Sequence, residues 1–463
     1  MVLNVLNRQS KVMAQRVKGE GMAHPRERWT GSEVDRRQFL LRAAGTAVAL
    51  PSLAAIMQAC SNPRDTGAAT TSDPAGKGGL WESGWPYPLA RQDKPVTWNI
   101  FPDNPAIASN LQPEKNATLE IYNWADYLWP KIANDFGAKY DCKVNVTTFN
   151  NMDEALAKMR TGQLTFDIFF PTIDILGKLI STKLLQPLNH DYVPNLPANA
   201  WDTYQNPFYD QEWKYTVPYV LYTTGIGYRR DVVSDEQIRS MSNPYDIFYD
   251  PKYKGQVGIY DEYRDAISMT LLRKGITDLN TTDPATIAQA GTDLIDLLNI
   301  NNVRTSINGA YVGLPKGQYQ IHQAWSGDMT AAWFYVPKAT MANYETLGYW
   351  YPKDRAGAIN NDCIAIPSAS KNPVLAHLFI DYMLDYKNAM DNFSWVGYQV
   401  PQKQADPATL TTTKSVQGEP YVFPWMIDAV VQESDFKTGF LELELTPQVD
   451  ALWHDAWSKF QSG

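Results

Sequence analysis

From residue 117 onward, apolar and polar positions follow two rhythms that succeed one another along the chain. Residues 118–122 change face with every step, the period of a half-buried strand, and an apolar stripe at helical spacing follows over 130–137. The pattern then predicts a strand at 142–149, a helix at 152–160, a short buried strand at 167–170 ending at Pro171, and a helix at 175–181. The same succession resumes beyond Ile226-Gly227-Tyr228. It predicts a strand at 256–260, helices at 266–274 and 286–299, strands near 320–324 and 364–366, and a helix over 373–387. A last helix, 448–460, gathers Leu452, Trp453, Trp457 and Phe460 on one face. Strands alternating with helices at this spacing predict βαβ units, a mainly parallel sheet and the α/β class. Two such runs predict two lobes with a ligand cleft between them, and the loops after the strands are where ligands of parallel sheets sit.

The N-terminal part follows another pattern. Arg36-Arg37 precede Phe39-Leu40 and an Ala-rich apolar run, 41–59, interrupted by Arg42 and Pro51. Such a run is too broken for a permanent membrane helix of ~20 apolar residues. It fits an export signal, residues 1–59, and the paired arginines resemble the twin-arginine type. Cys60 closes the run behind Ala59, where bacterial lipoproteins carry their lipid, although Gln58 departs from the small-residue pattern there. Lipidation at Cys60 is expected, with ordinary signal cleavage nearby as the alternative; Met13 and Met22 are alternative starts. Residues 60–80, rich in Ser, Thr, Gly, Pro and Ala, read as a tether. Residues 81–116 read as an extension lying on the folded body.

Composition narrows the function. Without residues 1–59 the chain keeps 32 basic and 46 acidic side chains, a net charge of −14. That excludes nucleic acid as a partner, because binding it needs cationic surface. Cys142 and Cys363 lie far apart in sequence and are expected as free thiols. No GxSxG, HExxH or P-loop pattern occurs, and the five His are scattered, so no enzyme, cofactor or metal site is expected.

What recurs is tryptophan and carboxylate at strand ends. Trp124, Asp126 and Tyr127 follow the first strand, and Thr172 and Asp174 the third. Asp261, Glu262 and Asp265 follow the strand at 256–260, Trp325 and Asp328 the next, and Asn360, Asn361 and Asp362 precede Ile364. A single loop carboxylate more often caps a helix or faces water; the repetition is what points to a site. An alkylammonium has N–H donors and no acceptor, so carboxylates satisfy it, while aromatic faces hold its methylenes and attract its charge at about 0.5–2 kcal/mol per contact. Sugars, basic amino acids or a metal ion are alternative ligands, and paired carboxylates in an aromatic cleft leave a glycosidase-like hydrolase as the rival outside binding proteins.

From about Ala117 to the C-terminus the chain resembles the spermidine/putrescine-binding proteins of bacterial ABC transporters. The resemblance rests on Tyr122-Asn123-Trp124-Ala125-Asp126-Tyr127, Tyr253-Lys254-Gly255 with the acidic loop after it, Ala324-Trp325-Ser326-Gly327, Tyr351-Pro352-Lys353, Asp362 before Ile364-Ala365-Ile366-Pro367, and Val396-Gly397-Tyr398, in that order. It implies a type II periplasmic binding protein fold whose chain crosses between lobes more than once. Lobe 1 would take 117–225 and 361–407, and lobe 2 would take 226–360 and 408–463. Hinge closure would trap the ligand, and the closed form would dock on a permease with a cytoplasmic ATPase. Trp124 and Tyr127 would line the cleft with Asp126 beside them. Glu262 and Asp265 would face an amino group with Arg264 as a structural partner, Trp325 would stack on the polymethylene chain, and Asp362 would pair with an amine. Asp174 stands where the family has an aromatic residue, and Asn360 where it has a second Trp. One wall is therefore less aromatic and more acidic.

Overall fold

The computed structural model describes residues 87–161, 165–196, 200–337 and 345–463. The predicted export signal with Arg36 and Arg37, the lipidation site Cys60, the tether 60–80 and the first residues of the extension lie outside the described residues.

Strands β1 (Thr118–Trp124), β2 (Lys143–Phe149) and β3 (Ile168–Phe169) pair in parallel, with β1 in the middle. The crossover helix Pro130–Tyr140 starts with proline, whose missing N–H is harmless in a first turn, and ends at Asp141 in the left-handed region (φ 51°). The longest strand, β4 (Thr216–Arg229), is one the periodicity conceals. Beyond it come β5 (Val257–Ile259), β6 (Arg304–Thr305), β7 (Ile321–Trp325), β8 (Leu347–Trp350), β9 (Ala358–Ala365) and β10 (Phe440–Leu441). Their order is β2-β1-β3-β9-β4-β7-β5-β6, with β8 on β4 and β10 on β9. The flanks are parallel, as predicted, but β9-β4, β4-β7, β4-β8 and β3-β9 are antiparallel. The sheet is therefore mixed, not mainly parallel.

The architecture is the two-lobed type II binding protein fold. Residues Thr216 to Thr224 of β4 pair with β9 and residues Thr224 to Arg229 with β7 and β8, so one strand serves both lobes. Around β1 and β3, Tyr122, Phe149, Phe169 and Leu179 form one cluster, and Ile121, Phe136, Phe170 and Phe379 another. Ile226, Ile259, Leu294 and Trp453 form a third cluster, and Tyr260, Leu314, Ala324 and Phe393 a fourth. The last helix, Pro447–Ser462, buries Trp453, Trp457 and Phe460 as its stripe predicts. Each such side chain contributes about 1.5–3 kcal/mol.

The C-terminal third alternates between these clusters. Met390, Phe393 and Val400 join Tyr260 and Ala324, while Val431, Phe436, Leu441 and Leu443 join Tyr122 and Phe169. The predicted helix over 373–387 is two, Pro373–Leu384 and Tyr386–Val396. The Asp385 carboxylate caps the second by accepting from the Asn388 amide. Residues 87–116 lie along the body. The Trp98 indole donates to the Tyr209 carbonyl at 2.8 Å, and Glu114 accepts from the amides of Val374 and Leu375, which open the helix Pro373–Leu384. Cys142 and Cys363 are not joined; Cys363 is buried, and burial raises its thiol well above the usual range.

Candidate functional site

The residues singled out from the sequence converge where the C-terminal ends of β1 and β7, the start of the helix Tyr263–Arg273, and strand β9 come together. β1 ends in Trp124, whose ring lies 4.7 Å from Phe149 and whose buried indole N–H has no partner. Tyr127 is buried, and its hydroxyl donates to Asp362 Oδ2 at 2.8 Å. Asp126 takes another direction. It is exposed, sits at φ 56°, and accepts from the hydroxyls of Tyr311 (3.4 Å) and Tyr335 (3.1 Å), both distant in sequence.

Trp325 ends β7 and is held from three sides. Its ring stacks on Tyr260 at 3.8 Å, its amide donates to the Tyr260 hydroxyl at 2.6 Å, and its indole N–H donates to Asp265 Oδ1 at 3.0 Å. Asp328 accepts from Tyr260 at 2.8 Å and from Tyr398 at 2.7 Å, so two motifs separated along the chain share one carboxylate. Gly327 lies against the Tyr398 ring so closely that a Cβ would run into it, and Gly397 at φ 83° turns the chain toward that contact. These glycines let the Trp325 and Tyr398 segments touch.

Asp362 on β9 is buried, and both its oxygens accept tyrosine hydroxyls, from Tyr127 and from Tyr222 at 3.3 Å. Thr172 pairs with it as a bridge between backbones, and its buried hydroxyl has no partner. Asn360 is buried, with Nδ2 3.4 Å from the Glu442 carbonyl. Arg264 is turned away from the cleft. Its guanidinium donates to the carbonyls of Leu443 and Leu279 and to Asn280, and lies 4.8 Å over Trp453. It is structural, as the resemblance implied.

Sequence reasoning missed Tyr222, Tyr260 and Glu442. Tyr222 stands between Asp362 and the Trp325 ring, 5.8 Å from the latter. Glu442, just beyond β10, is buried, and its Oε1 has no partner.

The electrostatics are those of carboxylates crowded out of water. Burial, opposed by its two tyrosine hydrogen bonds, pushes Asp362 up to about 7. Burial first, then the neighbouring Glu442, raises Asp265 well above the usual range, against the hydrogen bonds from Trp325 and Thr224. Glu262 rises for the same first reason, with Asp153, Asp265, Asp174 and Glu442 adding repulsion. Burial raises Glu442 as well, while Arg264 and the nearby Ser268 hydroxyl oppose it. Asp174, half-buried in the turn Ile173–Ile175, adds its charge to Asp265, Glu262, Asp362 and Glu442 alike. Among the described residues no three His, Cys, Asp or Glu side chains converge closely enough to hold a metal ion.

Residues 131–418, more than half of the chain, match the family model of the bacterial extracellular solute-binding proteins. The chain is 27% identical over 311 residues to spermidine/putrescine-binding periplasmic protein 1 of Haemophilus influenzae, a match covering 67% of this chain and 81% of that one. It is 25% identical over 370 residues to the putrescine-binding periplasmic protein PotF of Escherichia coli, covering 77% and 95%. In fold it is similar to a putative spermidine/putrescine ABC transporter protein of Listeria monocytogenes (TM-score 0.62, 24% identity, 74% of this chain and 98% of that one). It is likewise similar to the spermidine/putrescine substrate-binding protein PotD of Streptococcus pneumoniae (TM-score 0.58, 22% identity, 75% and 99%). The family match and the two-lobed fold agree: the chain belongs to the bacterial extracellular solute-binding proteins.

Proposed function

We propose that this protein is the solute-binding component of an ABC importer and that its cleft captures a small polyamine-class cation. One observation carries the reading: Asp174, Asp265, Asp362 and Glu442 gather around Tyr222 with Glu262 beside Asp265, and against them the buried Arg264 alone brings a cation, felt at Glu442, while its terminal nitrogens donate to backbone and Asn280. Carboxylates held in this way outnumber their cation, and an ammonium supplies donors with no acceptor to leave unmet. Trp124, Tyr127 and Trp325 form the walls, Glu262, Asp265 and Glu442 take one amino group, and Asp362 takes the other. Thr172, Asp174 and Asn360 shape the acidic wall between. Relatives named for spermidine and putrescine bear the same ligand class.

The lobes would divide near 117–225 with 361–407 and 226–360 with 408–463, the C-terminal third crossing between them. Asp126 with Tyr311 and Tyr335 then belongs to the closed form, which docks on a permease coupled to a cytoplasmic ATPase. The mature chain would be exported on the twin-arginine pathway through Arg36-Arg37 and held at the outer face of the cytoplasmic membrane by lipid on Cys60. It would act without turnover.

A thermal-shift screen with putrescine, spermidine, agmatine, basic amino acids and sugars tests the ligand, since binding raises the melting temperature with occupancy. A rise with at least one di- or polyamine is expected. A rise with sugars alone would overturn the cation while leaving the fold, and turnover of a glycan or ester would overturn the transport role. Replacing Arg36-Arg37 by Lys-Lys should hold the precursor in the cytoplasm, and Cys60→Ser should free the exported protein from membranes.

A further inference from the structure

The family match runs from residue 131 to residue 418, and two segments outside it meet beside the cleft. One is the start of the extension. The Tyr87 hydroxyl donates to Glu444 Oε1 at 2.7 Å, Arg91 Nη2 donates to the Glu444 carbonyl at 2.8 Å, and Gln92 Nε2 donates to the Phe436 carbonyl at 3.0 Å. The other is the stretch from β10 to Thr446, where side chains alternate. Leu441 and Leu443 enter the cluster of Tyr122 and Phe169, while Glu442 and Glu444 take the opposite side at 9% and 6% exposure.

Two carboxylates on one side of an extended chain stand about 7 Å apart, and burying both without donors is unfavourable. Their surroundings differ. Glu444 is held by Tyr87 and flanked by Gly177, where a Cβ would collide with both the Tyr87 ring and the Glu444 carboxylate. Glu442 keeps an unpartnered oxygen and borders Glu262 and Asp265. The extension therefore fastens the residue next but one to the carboxylate that faces the cleft.

We propose that Tyr87 and Arg91 are positioning residues that clasp the 440–446 segment at Glu444 and thereby aim Glu442 at the bound cation, making the N-terminal extension part of the binding site. This rests on the reading of the cleft as a cation site.

The test is a double-mutant cycle on the full mature chain, read by calorimetric titration with putrescine and with spermidine. Glu442→Gln should weaken binding about tenfold and Tyr87→Phe about threefold, the worth of a charge-assisted and of a neutral hydrogen bond. The double variant should bind no more weakly than Glu442→Gln alone, and Arg91→Ala should behave like Tyr87→Phe. Unchanged affinity in Tyr87→Phe, or a loss that adds in full to that of Glu442→Gln, would overturn the clasp. If the parent protein binds neither amine, the cation reading fails separately. The clasp is then read by amide hydrogen exchange, which should quicken across 440–446 in Tyr87→Phe and Arg91→Ala; unchanged protection there would overturn it.

Discussion

The two ends of the cleft handle buried carboxylates in opposite ways. At one end Asp362 receives a tyrosine hydroxyl on each oxygen. At the other, Asp265 receives Trp325 and Thr224 on one oxygen, and Glu262 and Glu442 stand beside it; burial first, then repulsion among neighbouring carboxylates, raises the proton affinity of Asp265 and Glu262. Removing a carboxylate from water costs several kcal/mol unless donors replace the lost hydration. Asp362 has its replacement built in. The other end is underprovided with donors, and that is the end that gains most from a bound ammonium. On the proposed cation reading, the same residue type contributes less charge at the Asp362 end than at the other.

Three experiments would break or sharpen that contrast. The largest effect is expected for Trp325→Ala, which removes the wall stacked on Tyr260 together with a donor to Asp265. Affinity for the bound amine should fall about 100-fold, the scale of an aromatic hot spot. A loss below threefold would show that the ligand does not use this wall. Next comes the carboxylate comparison. Glu262→Gln should weaken binding about tenfold, and Asp362→Asn, whose tyrosine donors can still meet an amide oxygen, about threefold. The reverse order would place the dominant charge contact at the Asp362 end.

The smallest effect is on pH dependence. Asp362 and Glu444 titrate near 7 in the folded chain, chiefly through burial, against ordinary carboxyl values near 4. Between these values the folded protein holds protons that the unfolded chain releases. Their stabilising contribution is therefore complete below about pH 4 and lost as pH rises through 7. The unliganded protein should melt a few degrees higher at pH 5.5 than at pH 8. A cation needs the ionised carboxylates, so the ligand-induced rise in melting temperature should be larger at pH 8. Calorimetry at both pH values checks the two signs together, and parallel behaviour with and without ligand would remove the carboxylates from the account.

Short buried strands such as Ile168–Phe169 and Val257–Ile259 showed as brief apolar runs, but the longest buried strand did not. Thr216–Arg229 is buried along almost its whole length, so no alternation marks it, and Pro218 within it argues against a strand until the register shift between Pro218 and Val220 is seen to accommodate it. Leu441-Glu442-Leu443-Glu444-Leu445 shows the opposite failure. It alternates cleanly and reads as an ordinary strand with its acids in water, yet the packed fold turns that side inward.

By itself the sequence determined the α/β class, the aromatic and acidic residues at the strand ends, the apolar stripe of the last helix and the acidic balance that excludes nucleic acid. Those properties follow from period, residue chemistry and charge, which are local or additive along the chain. The tertiary structure alone decided that Asp126 meets Tyr311 and Tyr335, that Asp328 joins Tyr260 to Tyr398, and that Glu442 faces inward while Tyr87 holds Glu444. Each is a meeting of segments distant in sequence, and whether a carboxylate finds water, a hydroxyl or another carboxylate depends on what packs against it.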